Sequence, residues 1–335
     1  NTASVSGTVT LNGTIATSND AVVFGAVTLG SATTIDTNAT NTDGDITIAA
    51  VTGGNNALTL STGTVANADI TASGAISGVT TLTLADVGGT ATLSADVDVT
   101  TLTIGNTVVN VAFTGNGSSV ASAFTPNNTG TFIFGTSGGT QTYNGGLNTA
   151  SVDGIVTLNG TIASSDDALT FGAVTLGSAT TIDTNSTTTN RADITIAAVT
   201  GGNNALTLTT ENNITGSDVT ASAAISGVTT LTLANVGGTA TLSGDVDVTT
   251  LTVGNTVLNL AFTGNGSSVA NSFTPTNDGT LTLGTSGGTQ TYNGGLNTAS
   301  VSGTVTLNGT IATSNDAVVF GAVTLGSATT IDTNA

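Results

Sequence analysis

The sequence predicts an all-β fold, a parallel β-helix (β-solenoid) with roughly 20–24 residues per coil. Three observations carry that expectation. The composition favours strands over helices. Short apolar-polar alternating runs recur along the whole chain. Long phrases are repeated, and no linker separates one copy from the next.

The composition comes first. Only 6% of the 335 residues are charged, against about 25% in an average globular chain. Arg191 is the single basic residue, there is no His, and the acids are nineteen Asp plus Glu211. Helix-favouring Lys, Glu, Arg and Met are almost absent, whereas Thr, Val, Gly, Asn, Ser and Ala dominate, a mixture that favours pleated strands and tight turns. Hydrophobic residues make up 38%, and their regular alternation argues against disorder.

Internal repetition is the second observation. Residues 1–147 realign with 148–296, and 297–335 begin a third copy. The phrase "GGTQTYNGGLNTASV" at 138–152 recurs letter for letter at 287–301, and the block 1–39 recurs unchanged at 297–335. The second copy carries two small insertions, both in polar turn-like segments where a strand-and-turn architecture tolerates extra residues. The third copy stops in mid-phrase, and neither end reads as the cap that a stacked array needs. The expectation is therefore one continuous solenoid, cut from a longer tandem array.

The runs themselves are the third. In the first copy they include "TVTLNG", "AVVFGAVTLG", "TTIDTN", "DITIAAV", "ALTLSTG", "TTLTLAD", "TATLSAD", "TVVNVAF", "TFIFG" and "TQTYNG", punctuated by Gly-Gly, Asn-Gly, Asn-Asn and Ser-Gly. Comparing copies shows which face is buried. Phe132 and Phe134 become Leu281 and Leu283, while Ile133 between them becomes Thr282. Val22 becomes Leu169 and Phe24 stays Phe171, while Val23 becomes Thr170; Val109 and Val111 become Leu258 and Leu260 around an unchanged Asn. Alternate positions stay apolar and those between turn polar, as expected of one inward and one wet face. A sandwich would be closed and sit on a linker. Strand-turn units that run through the copy boundary favour a solenoid, and sixteen coils at about 4.8 Å each would span roughly 75 Å.

Phrases such as "TDGDITIAAVTGGNNALTL", "FGAVTLGSATTI" and "GGTQTYNGGLN" resemble the strand-repeat regions of large secreted bacterial surface proteins. Filamentous-haemagglutinin-like adhesins and autotransporter passenger domains are the nearest comparison. The resemblance is one of composition and rhythm and covers the whole chain. It implies a right-handed parallel β-helix, export to the cell surface, and a role as stalk, adhesin or matrix fibre.

Several functions are disfavoured by what the chain lacks. A net charge of −19 with one arginine offers no cationic patch for nucleic acid or an anionic membrane. No apolar run approaches the roughly 18 residues of a spanning helix, so no membrane insertion is expected in this segment. Without His, Cys or Lys there is no ordinary base or activated nucleophile, and no catalytic residue is assigned. Paired carboxylates occur at Asp96/Asp98, Asp245/Asp247 and Asp43/Asp45. In each "DVDV" the two Asp share a strand face and should point to solvent with the Val inward, a solvated surface rather than an acid-base dyad.

Calcium is the one cofactor the residues leave open, because hard oxygen ligands are abundant. "TDGD" at 42–45 resembles half a calcium loop. Its counterpart in the second copy loses Asp43 and brings in Arg191, and Asp86 becomes Asn235. Asp20, Asp167 and Asp316 read as Asx-turn residues. No metal ligand set is therefore assigned.

Outward threonines in "TVT" at 8–10, "TLT" at 81–83 and 101–103 and "TAT" at 90–92 suggest ladders of the kind that bind ice or glycan. They read as scattered rather than placed once per coil, and Thr is in any case a strong strand former. Sequons at Asn12, Asn116, Asn127, Asn159, Asn213 and Asn265 leave glycosylation open. The function expected is a structural, extracellular or cell-surface shaft or fibre that associates end to end or continues in the same chain. The alternative is a surface-binding module for glycan or ice.

Overall fold

The computed structural model describes residues 1–41, 44–185, 191–211 and 215–334. No helix occurs among them, and the fold is a β-solenoid of about 15 turns built from parallel strands. The chain divides into two compact units, Asn1–Ile162 and Ala163–Ala335. The limit between the units, 162/163, differs from the copy limits at 147/148 and 296/297.

In the first unit each full coil offers three inward rows. One runs Val22, Ile46, Ile70, Ala91, Val111, Phe132 and Val156, each residue in register with the next. A second runs Val9, Val27, Val51, Ile76 and Val97, and a third Ile15, Ile35, Leu60, Leu84 and Ile104. Between neighbouring rungs the stacked side chains exclude water almost completely; Ile46, Leu60, Ile70 and Leu84 are fully buried. Burial of each such side chain stabilises the fold by about 1.5–3 kcal/mol. The second unit repeats the first row as Leu169, Ile194, Val219, Ala240, Leu260, Leu281 and Val305.

The pairing passes straight through both copy limits. Phe132 of the first copy pairs with Val156 of the second, and Leu281 of the second pairs with Val305 of the third.

The expected coil length of about 20–24 residues holds on average, with about 15 turns in 335 residues, and registered partners lie from 18 residues apart (9 to 27) to 26 apart (180 to 206). The strands keep step while the corners absorb the difference. One expectation needs correction: not all strands are short. Val22–Asp36 and Ile46–Ser61 run 15 and 16 residues, because the backbone rounds a corner through a register shift between Thr28 and Thr33 without leaving the sheet.

Corners are where backbone N–H groups would lose their ladder partners, and short polar side chains replace them. The Asp69 N–H donates to Asp45 Oδ1 at 2.9 Å, and the Thr90 N–H donates to Asp69 Oδ1 at 2.7 Å. Two coils further on, the Thr131 N–H donates to Asn110 Oδ1 at 2.9 Å. The second unit repeats the device through Asp193, Asp218 and Asn259. Several of the acids in this acidic chain are thus clasps between neighbouring coils.

One corner tolerates almost no side-chain volume. A Cβ on Gly74 would lie 1.9 Å from the Ala49 carbonyl oxygen of the coil beneath. The next coil places Ala95 at this corner, followed by Gly115, whose own Cβ would meet the Ala95 carbonyl at 2.5 Å. In the second copy the pair is exchanged: Ala223 stands at the position of Gly74, and Gly244 at the position of Ala95. A Cβ on Gly244 would lie 2.2 Å from Ala223. Volume added on one coil is removed from the next.

The aromatic residues gather in the core. Phe113, Phe124, Phe132, Phe134 and Tyr143 touch one another in the first unit, with Phe124 and Tyr143 stacked at 5.8 Å. In the second unit Phe273 and Tyr292 repeat that stack at 5.7 Å. Polar residues lie inside as well, among them two glutamines. Gln141 and Gln290, each 1% exposed, donate through Nε2 to the carbonyls of Phe113 and Gly115, and of Phe262 and Gly264.

Candidate functional site

The outward side chains form the other half of each row, and here the expectation of scattered threonines is overturned. Thr14, Thr34, Thr59, Thr83 and Thr103 stand in register on five successive coils. Thr47, Thr71 and Thr92 form a second file. In the second unit Thr170, Thr195, Thr220 and Thr241 do the same, as do Thr181, Thr207, Thr232 and Thr252. The sequence hides this order because corner lengths differ from coil to coil, so a constant step in space is an irregular step in sequence.

A third file changes character along its length: Thr10, Thr28, Thr52, Ser77, Asp98, Ser119 and Thr142. Asp98 is exposed and its Val97 and Val99 neighbours are buried, as the "DVDV" pattern predicts. Burial against the coil surface, aided by the charge of Asp96, raises the Asp98 pKa above its ordinary value, and the Ser119 backbone N–H opposes the shift. Asp247, its counterpart, is also exposed, between buried Val246 and Val248.

Beside this file the chain makes a shallow groove, and it does so in both copies. The cause is a bulge. Ser77 faces Asp98 and Val79 faces Val99, which leaves Gly78 without a registered partner at φ 64°. Glycine supplies that left-handed backbone at no steric cost. The same bulge leaves out Gly227, at φ 66°, between the pairs Ser226–Asp247 and Val228–Val248. The resulting grooves have volumes of about 200 Å³ in the first unit and 320 Å³ in the second.

The remaining candidates fall into place individually. Among the described residues no three acidic side chains gather into a cluster that could hold a metal. Asp43 lies outside the described residues, and Asp45 accepts the Asp69 N–H. Asp20, Asp167 and Asp316 do not act as Asx-turn residues. Their carbonyl oxygens accept from the hydroxyls of Thr17, Ser164 and Thr313 three residues earlier, and the preceding residue, Asn19, Asp166 or Asn315, takes the positive φ. Arg191 lies against Gly216 on an exposed corner. Of the sequons, Asn12, Asn116, Asn127 and Asn265 are exposed, Asn159 donates to the Phe134 carbonyl, and Asn213 lies outside the described residues.

Sequence reasoning missed Gln141 and Gln290. The signal was present: in "TQTY" the alternation that buries Tyr puts Gln on the same face. The grooves were missed as well, since Gly78 reads as one more turn glycine until the register shows it unpaired. No protein-family model, curated protein or solved structure matches the chain.

Proposed function

We propose that this chain is a structural, extracellular repeat protein, the shaft of a surface adhesin or a matrix fibre, that works without catalysis. One observation carries the reading: the registered inward rows cross the limits between copies, at Phe132–Val156 and at Leu281–Val305, with the parallel pairing unbroken. A chain so built gains length by whole copies while each added coil finds its partners in the previous one. The rhythm of the sequence, which resembles haemagglutinin-like and autotransporter repeat regions, supports the surface location. The lack of His, Cys and Lys supports a non-catalytic role.

Coil stacking also supports association end to end or continuation in the same chain. Each coil offers the next a full edge of backbone groups, and such an edge is a template for another coil. Electron microscopy of the native material tests the proposal: long uniform filaments or slender stalks at the cell surface are expected, and compact separate particles would end it.

A second reading has an observation of its own. The outward threonines, in register coil after coil, suit a surface-binding module for glycan or ice. Thermal hysteresis measured with the purified chain tests the ice arm; a flat freezing trace removes it.

A further inference from the structure

We infer that the groove recurring in each copy binds one unit of a neutral, polyhydroxylated ligand, as on the surface of an uncharged polysaccharide. The inference goes beyond the shaft and gives the surface-recognition reading a location.

The lining chemistry selects the ligand. In the first unit the walls carry Asn55, Thr80, Asp98, Thr100 and Ser119, and the strand backbone at Gly78, Val79 and Val99 lies beneath them, the two Val side chains being turned into the core. A carboxylate accepts, an amide both donates and accepts, and hydroxyls do either. Such a set meets the paired hydroxyls of a sugar. The second unit repeats every one of these residue types as Asn203, Thr229, Asp247, Thr249, Ser268, Val228 and Val248. The copies have meanwhile diverged nearby, at Asp86/Asn235, Gly74/Ala223 and Ile104/Val253.

Other ligand classes fit less well. Asp98 lies near Asp96, and the chain carries a net charge of −19, so phosphates and acidic sugars are repelled. A divalent cation needs about six to eight oxygen ligands, and no third carboxylate joins the pair. The volumes lie at or below the lower end of the roughly 300–1,000 Å³ range of small-molecule pockets, which leaves room for a sugar residue rather than a nucleotide.

The full chain is titrated calorimetrically with neutral hexasaccharides of β-linked glucose, α-linked mannose and N-acetylglucosamine. Oligogalacturonate and calcium chloride serve as ionic controls. One neutral sugar is expected to bind at about two sites per chain with millimolar-range affinity, as suits an open groove. Asp98→Ala with Thr100→Ala should halve the stoichiometry, and adding Asp247→Ala with Thr249→Ala should abolish it, with the strand circular dichroism of the folded chain retained. Asp98→Asn with Asp247→Asn, which keeps the shape, should weaken binding several-fold. The inference fails if no neutral sugar binds, if binding survives all four alanines, or if only oligogalacturonate or calcium binds. Filaments observed together with any of those results would sink the groove and leave the shaft standing.

Discussion

The hydroxyl of Tyr143 donates to Oε1 of Gln141 at 2.9 Å, two residues back on the same strand and inside the core. Tyr292 and Gln290 repeat the bond at 2.8 Å. Each Gln spends its amide nitrogen on carbonyls of the preceding coil, so one side chain joins an aromatic stack to the ladder below it. Gln141→Ala strands the Tyr hydroxyl and opens a cavity, at a cost of about 2–4 kcal/mol. Tyr143→Phe leaves only Oε1 unpaired and should cost about 1–2 kcal/mol. Because a coil touches only its neighbours, the loss should be local. Hydrogen exchange should quicken around residues 113–147 and stay unchanged around 262–296.

The same two tyrosines give an alkaline prediction. Burial raises both phenol pKa values above 10.0. A group whose folded pKa is raised contributes stability that is complete below its unfolded pKa and is lost as pH rises toward the folded one. Stability should therefore decline from about pH 10 upward. Phenolate absorbance should stay absent until the chain unfolds and then appear in one step with the loss of strand circular dichroism. A smooth titration in the folded state would contradict the burial.

The small-residue corner predicts a compensated pair. Gly74→Ala alone drives a Cβ into the Ala49 carbonyl and should destabilise the first unit by about 1–3 kcal/mol. Gly74→Ala combined with Ala95→Gly recreates the residue pair Ala223 and Gly244, leaves the corner room to shift toward the coil above, and should recover part of that loss. A double-mutant cycle in urea reads the coupling, and simple additivity of the two changes would refute the stacked corner.

Acid should stabilise rather than weaken this protein near its carboxylate range. The pKa of Asp98 is raised by burial and by Asp96, and that of Asp183 by burial and by Glu211. A carboxyl with a raised folded pKa binds its proton more tightly when folded, so stability falls as pH rises through that range and grows as pH falls. Relief of self-repulsion at a net charge of −19 acts in the same direction. The melting temperature should rise between pH 7 and about pH 4, and Asp98→Asn with Asp183→Asn should flatten the rise.

Much of the fold was legible in the chain. The replacement of Ile133 by Thr282 in the second copy, between Phe132/Phe134 and Leu281/Leu283, told inside from outside, because alternation survives when single side chains change. Coil length was less legible. The coil from Thr33 to its partner Leu58 is longer than that from Leu82 to Leu102, so averaging blurred both and hid the threonine files. The groove depends on one unpaired glycine in a bulge, and pairing is a relation between coils that no single stretch of residues displays. Asp45 read as part of half a calcium loop and Asp69 drew no reading for the same reason: their partners are N–H groups some twenty residues away.

The pairing of Phe132 with Val156, repeated as Leu281 with Val305, has a genetic consequence. Near-identical copies invite unequal crossing-over, and an exchange between matched positions deletes or inserts a whole set of rungs while every surviving rung meets the neighbour type it had before. Variants of different size can therefore arise in one recombination event, already foldable, without a single compensating substitution.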